Sequence, residues 1–276
     1  MRIPNYGGFK MKNFLLLISA TAMLAACAPA DMNGSFVQPD SQDNIVGGEP
    51  VGRLSAIGRS TVGIYESKIG YICTGTLVAK NIVLTAAHCV DPKAKDLRII
   101  FAADMKGVAK ERTRKVTNAI VHEKYTDKVV AQEMFDIALL KFEGEPVIGY
   151  TPAKILFDSS AVYSGMKTIV AGYGLNRTAI VQGGAGTLRT TNLEVDNANY
   201  SNTEALLGQS TSRGICSGDS GGPAYLQVNG ELQVWGVASR GDSIPIPLIP
   251  KCMLFSIFTR VSAHQGWIVD NMNLLK

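Results

Sequence analysis

Histidine, tryptophan and cysteine are scarce in this 276-residue chain, which holds 3, 2 and 5 of them. Past residue 26 there is no apolar run approaching the roughly 20 residues that a membrane-spanning helix needs. No block of like charge stands out, and the formal net charge is only +4. Lys and Arg do not gather into a run interleaved with aromatics, so nucleic acid is not an expected partner. No cysteine belongs to a C-x-x-C pair and zinc-ligand spacing is absent, so neither a metal nor a cofactor is expected. What is present is an ordinary globular composition, 46% hydrophobic and 18% charged. The length suits one medium domain or two small ones sharing a cleft.

The first residues read as an export signal. Lys10 and Lys12 precede a short apolar stretch, Phe14 to Ala26, too short to span a bilayer. It ends Leu24-Ala25-Ala26-Cys27, which resembles the bacterial lipobox. That resemblance implies a diacylglyceryl group on Cys27, and it accounts for one cysteine being left over from pairing. The competing reading is ordinary signal cleavage after Ala28-Pro29-Ala30. Residues 28–44 are polar, with Pro, Asp and Asn, and read as a flexible tether. The expected organisation is a lipoprotein-type signal over 1–26, an anchor cysteine and pro-segment over 27–44, and a folded domain over 45–276. The protein is then exported, held in a bacterial cell envelope by membrane lipid through Cys27, or secreted once released. Asn176-Arg177-Thr178 and Asn199-Tyr200-Ser201 fit a glycosylation pattern, set aside because the leader looks bacterial.

From Ile45 onward the chain changes to apolar, β-branched runs separated by turns. Ile82-Val83-Leu84, Ala119-Ile120-Val121, Ile137-Ala138-Leu139-Leu140 and Thr168-Ile169-Val170-Ala171 read as buried strands. Only the end, Ala263 to Leu275, reads as a helix. Many short strands argue for an all-β sandwich or barrel, and no internal repeat is visible.

Gly218-Asp219-Ser220-Gly221-Gly222-Pro223 carries the strongest chemical signal. A serine hydroxyl is a poor nucleophile unless a base sits beside it. It also needs backbone N–H groups aimed at the developing oxyanion, and glycines allow that close approach. By itself the motif is equally a Gly-rich turn. Thr85-Ala86-Ala87-His88-Cys89 and Asp136-Ile137-Ala138-Leu139-Leu140 supply a histidine and a carboxylate. His122 and His264 read as structural or surface residues. The order His, Asp, Ser is one of the known orders for a nucleophilic triad.

Together these motifs resemble the trypsin-like serine peptidases. Ile45-Val46-Gly47-Gly48, Cys73-Thr74-Gly75-Thr76-Leu77, TAAHC, DIALL, Ala171-Gly172-Tyr173-Gly174, CSGDSGGP and a closing Trp267-Ile268 helix occur in the family's order over 45–276. The resemblance implies two six-stranded antiparallel β-barrels with the active site between them and a C-terminal helix. The barrels would run over about 45–155 and 156–262, and the helix over about 263–275. It implies Ser220 as nucleophile, His88 as base and Asp136 as its orienting carboxylate. The N–H groups of Gly218 and Ser220 would form the oxyanion hole, and Ser239 would support Asp136. Disulfides Cys73–Cys89 and Cys216–Cys252 are implied. So is activation by cleavage before Ile45, whose new amino group would pair with Asp219.

The departures bear on specificity. Gly214 stands six residues before the nucleophile, where trypsins carry an acid, so Lys and Arg are not the expected targets. Gly214, Ser239, Gly241 and Ser256 would line the specificity pocket. Ser239-Arg240-Gly241 replaces the usual Ser-Trp-Gly and removes an apolar wall. The loop 243–250, SIPIPLIP, is either a cover for the cleft or a surface insertion. The expected activity is endopeptidase on protein or peptide substrates, with a separate activating protease as partner. The alternatives are a non-catalytic binding protein on the same fold and an esterase with the same triad.

Overall fold

The computed structural model describes residues 45–46, 48–68, 70–91, 96–128, 133–175, 183–210, 213–241 and 252–276. Cys27, the 28–44 segment, Asn176 and the 243–250 loop lie outside them.

Six strands form the first barrel: β1 (Thr61–Glu66), β2 (Tyr71–Ala79), β3 (Ile82–Thr85), β4 (Leu97–Ile100), β5 (Thr113–Val121) and β6 (Ala138–Phe142). They close in the order β1-β2-β3-β6-β5-β4, every pair antiparallel. Six more form the second: β7 (Lys167–Gly172), β8 (Arg189–Asn197), β9 (Glu204–Gly208), β10 (Pro223–Val228), β11 (Glu231–Gly241) and β12 (Phe255–Arg260). Their order is β7-β8-β9-β12-β11-β10, with β10 returning to β7. Both barrels therefore use the same winding. Two-residue strands at Glu49–Pro50 and Lys154–Ile155 both add to the second barrel's sheet.

Burial follows the pleat. In β8, Thr191, Leu193 and Val195 point inward, while Asn192 and Glu194 between them are exposed. β3 is buried along its whole length, as its run of Ile, Val and Leu requires. β5 differs from expectation: Ala119 is exposed, and Ile120 and Val121 are only half-buried, so this strand of the barrel wall is partly open to solvent, though Ile120 still packs against the core. The C-terminal element begins as a 3-10 turn, Val261–His264, and becomes an α-helix at Gln265–Leu274. Its Ile268 is fully buried with Leu139 and Leu140 of the first barrel. The helix end of the second half thus fastens onto the first.

Buried hydroxyls join the two barrels. Tyr225 on β10 shares hydrogen bonds with Ser60 (2.9 Å) and Thr61 (3.2 Å), and Tyr173 donates to the Ala102 carbonyl at 2.8 Å. Each phenol fills core volume while its hydroxyl is satisfied across the seam. That seam is where the chemical motifs meet.

Candidate active site

Asp136 precedes β6 and is almost wholly buried, at 1% exposure. Its Oδ1 accepts the His88 backbone N–H at 3.0 Å, and its Oδ2 accepts the Ser239 hydroxyl at 2.7 Å. The His88 Nδ1 lies 2.7 Å from the same Oδ2. A carboxylate only accepts hydrogen bonds, so the imidazole proton belongs on Nδ1. That leaves Nε2 with its lone pair free, the tautomer a general base needs. His88 sits in a single 3-10 turn, Ala87–Cys89, and its side chain keeps 31% exposure.

Ser220 lies in the turn leading into β10. Its carbonyl accepts the N–H of Thr74, on β2 of the first barrel, at 2.8 Å. The Thr74 hydroxyl donates to the Gly218 carbonyl at 2.9 Å. Thr74 therefore ties the serine turn to the barrel that carries His88. The sequence pattern contained Thr74 without revealing this role. The backbone N–H groups of Gly218 and Ser220 donate to nothing among the described residues. Two idle donors flanking Asp219 suit a site where negative charge develops. No side-chain hydrogen bond joins Ser220 to His88 among the described residues, as is common before substrate tightens such a site.

The glycines of this turn are structural necessities. Gly218 (φ +100°) and Gly221 (φ +77°) adopt left-handed backbone, and a Cβ on Gly221 would fall 2.0 Å from the Thr85 hydroxyl. A Cβ on Gly172 would lie 2.2 Å from an Asp219 oxygen. These bare backbones make room for the Asp219 carboxyl, which is fully buried. Its oxygens accept the N–H groups of Gly174 and Cys216, each at 2.8 Å. Burial pushes this carboxyl up to about 7, against those two donors and the nearby Arg189 guanidinium. It forms no ion pair among the described residues. Ile45 is also buried, at 1% exposure, and holds φ +37°, a strained region for a β-branched residue. The neighbouring Val46 bridges Gly214, whose N–H donates to the Val46 carbonyl at 3.1 Å.

The residues expected to line a pocket are partly assembled. Gly241 and Ser256 are register partners on β11 and β12, and Ser239 points instead to Asp136. Beside Gly214 lies Gln209, whose carboxamide atoms stand 2.8 to 3.0 Å from where a Cβ on Gly214 would be. The Gln209 oxygen accepts the Ile215 N–H at 2.7 Å. Sequence reading had missed Gln209, because nothing local signals that its side chain folds back over residue 214.

Both disulfides form, Cys73–Cys89 with Cα atoms 6.1 Å apart and Cys216–Cys252 with 5.3 Å. Cys73, Cys89 and His88 have their donor atoms within 4.8 Å of one another. Both sulfurs are consumed in the bridge, so no thiolate is left to hold a metal. The other histidines are buried rather than on the surface. His122 stacks on Trp267 with centroids 5.0 Å apart and meets His264 edge-on at 5.1 Å. Burial and the neighbouring His122 push His264 down to about 4.

A family model described as Trypsin matches residues 45–268. The human protein named chymotrypsin-like elastase family member 1 is 32% identical over 247 residues, covering 83% of this chain and 93% of its own. The protein of the same name from Macaca fascicularis is 30% identical and covers 91% of this chain and 96% of its own. A chymotrypsin from the beetle Phaedon cochleariae is 30% identical over 72% of this chain and 71% of its own.

These relatives are animal proteins, which overturns the bacterial reading of the leader. The lipid anchor at Cys27 and the cell-envelope location fall with it. Leu24-Ala25-Ala26 continues a stretch already rich in Leu and Ala, so a single cysteine after it is all that sets the lipobox-like pattern apart from composition. The reason for setting aside the pattern at Asn199, an exposed residue, falls as well. Among the described residues no helix is long and apolar enough to cross a membrane.

Proposed function

The chain is a serine endopeptidase belonging to the trypsin family, and from that premise we propose that His88, Asp136 and Ser220 form its catalytic triad in a precursor activated by cleavage before Ile45. Ser220 attacks the scissile carbonyl, while His88 Nε2 takes the hydroxyl proton and returns it to the leaving amine. Asp136 holds the imidazole tautomer and stabilises its cation. Gly218 and Ser220 N–H groups receive the oxyanion. The observation that carries this reading is the hydrogen-bonded run Ser239–Asp136–His88 beside two idle amides.

The precursor reading rests on Asp219 and Ile45. A fully buried carboxyl that forms no ion pair among the described residues, in a chain whose Ile45 is itself buried and strained, fits a precursor waiting for an ammonium group. Cleavage before Ile45 would relieve the backbone strain and create that group. Its pairing with Asp219 would keep the carboxylate ionised and order the turn that presents Gly218 and Ser220.

The residue before the scissile bond is uncharged in this proposal. Gly214 offers no carboxylate, Gln209 occupies the adjoining space, and an unpaired buried cation is costly. The decisive experiment is peptide-library profiling of protein cut before Ile45, beside the uncut chain. Cleavage after uncharged residues by the cut form alone agrees with the proposal. Strong Lys or Arg preference refutes the pocket assignment, and full activity of the uncut chain refutes the precursor scheme.

A further inference from the structure

The family's apolar tryptophan is replaced here by Arg240, and its side chain does not reach into solvent. Arg240 grips Glu204 through two bonds, Nη1 to Oε1 at 2.7 Å and Nη2 to Oε2 at 2.8 Å. The Glu204 side chain has 0% exposure and that of Arg240 has 16%. A buried ion pair is weak evidence for stability, since desolvation offsets most of the attraction. Its contacts point to another role. The Glu204 Oε1 also accepts the N–H of Met134 at 3.4 Å, two residues before Asp136. Arg240 Nη1 also donates to the Ser239 hydroxyl oxygen at 3.4 Å, and Ser239 in turn donates to Asp136 at 2.7 Å.

We infer that the Glu204–Arg240 pair is a clamp by which the second barrel positions the Asp136 carboxylate, with Arg240 acting as a positioning residue through Ser239. Phe135, between Met134 and Asp136, holds φ +50°, a conformation that persists only when surrounding contacts over-determine it. Glu204 supplies one such contact on the Met134 side. The Thr259 hydroxyl, donating to the Asp136 carbonyl at 3.0 Å, supplies another. The β11–β12 register shifts between Ala238 and Arg240, and a bulge there re-aims side chains that regular alternation would separate. Ser239 and Arg240 can therefore both serve the region of Asp136. The hydroxyl of Ser239 has one proton. An N–H from Arg240 on its oxygen leaves that proton for Asp136.

The clamp rests on the triad reading, so both must be read separately. Titration with a fluorophosphonate counts competent Ser220 in each cut preparation; a parent that does not label defeats the triad reading itself. Two variants then test the clamp: Arg240→Lys, which keeps the charge without the two-pronged grip, and Glu204→Leu with Arg240→Leu, which replaces the pair with apolar volume. A buried pair so replaced often retains stability, so folding should survive. The expected result is a kcat lowered about hundredfold in the double variant, the scale of a roughly 1 Å misplacement. Arg240→Lys should lose several-fold, with KM little changed in both. The low-field proton resonance of the His88–Asp136 hydrogen bond should shift upfield in both. If the double variant does not fold, Arg240→Lys alone decides. Parental kcat and an unmoved resonance in a folded, labelled variant would overturn the clamp.

Discussion

Replacing Asp219 by Asn in the uncut chain separates the charge of this group from its volume. The carboxyl is fully buried, and burial raises it from 3.8 to about 7. At about 1.4 kcal/mol for each tenfold change, that rise corresponds to roughly 4 kcal/mol. Between these two values the folded chain keeps a proton that the unfolded chain has lost. Stability contributed by Asp219 is therefore full below pH 3.8, falls as pH rises to about 7, and is then level. The Asn variant has no such slope. It keeps one acceptor for the Gly174 and Cys216 N–H groups and turns its amide toward the other, at about 1–3 kcal/mol independent of pH. The variant should thus be the less stable protein at pH 4 and gain about 4 kcal/mol on the parent by pH 8. Urea denaturation of both uncut proteins from pH 4 to 8 measures this difference directly. After cleavage before Ile45 the gain should disappear, because an ammonium partner stabilises the parent's carboxylate. A flat difference in the uncut chains, or one of opposite sign, would refute the reasoning about Asp219.

Two further expectations concern stability. His264 is pushed down to about 4, so between there and the ordinary 6.5 the unfolded chain binds a proton that the folded chain does not, and stability falls as pH drops through that window. His264→Phe should keep the ring contacts and remove roughly 3 kcal/mol of that acid-induced loss, read from denaturation at pH 4 and pH 7. Removing the Cys73–Cys89 bridge, which spans a sequence separation of 16, by Cys73→Ser with Cys89→Ser should lower stability by about 3 kcal/mol. Because Cys89 adjoins His88, turnover should fall as well; an unchanged melting temperature would contradict the assigned bridge.

What could be read in advance was whatever is encoded in short contiguous stretches. Ser220, His88 and Asp136 each sit in a motif whose neighbours have their own reasons: Gly218 and Gly221 need left-handed backbone, and Ala86 and Ala87 are buried beside His88. The strands at Ile82–Thr85 and Lys167–Gly172 were legible because both contain a mostly buried apolar run with adjacent β-branched residues, Ile82-Val83 and Thr168-Ile169-Val170. Strand β5 formed but its burial misled, because residues 119–121 are equally apolar yet Ala119 is exposed and Ile120 and Val121 are only half-buried. The pairs that organise the site were not legible, because their members are far apart. Glu204 meets Arg240 across 36 residues, and the Met134–Glu204 and Asn202–Glu133 hydrogen bonds exist only once both barrels do. His122 and His264 read as structural or surface residues, and both are buried, packed on each other with His122 stacked on Trp267. The lipid-anchor expectation failed for the opposite reason: Leu24-Ala25-Ala26-Cys27 is too short a pattern to specify a lipid anchor.

The most direct test of the catalytic assignment is to label the protein, cut before Ile45, with a fluorophosphonate and map the adduct by peptide mass spectrometry. One phosphonyl group on Ser220 is predicted, absent from Ser220→Ala, with peptide hydrolysis falling by about 10⁶ in that variant. An adduct on another residue, or peptide hydrolysis that survives Ser220→Ala, would contradict the account.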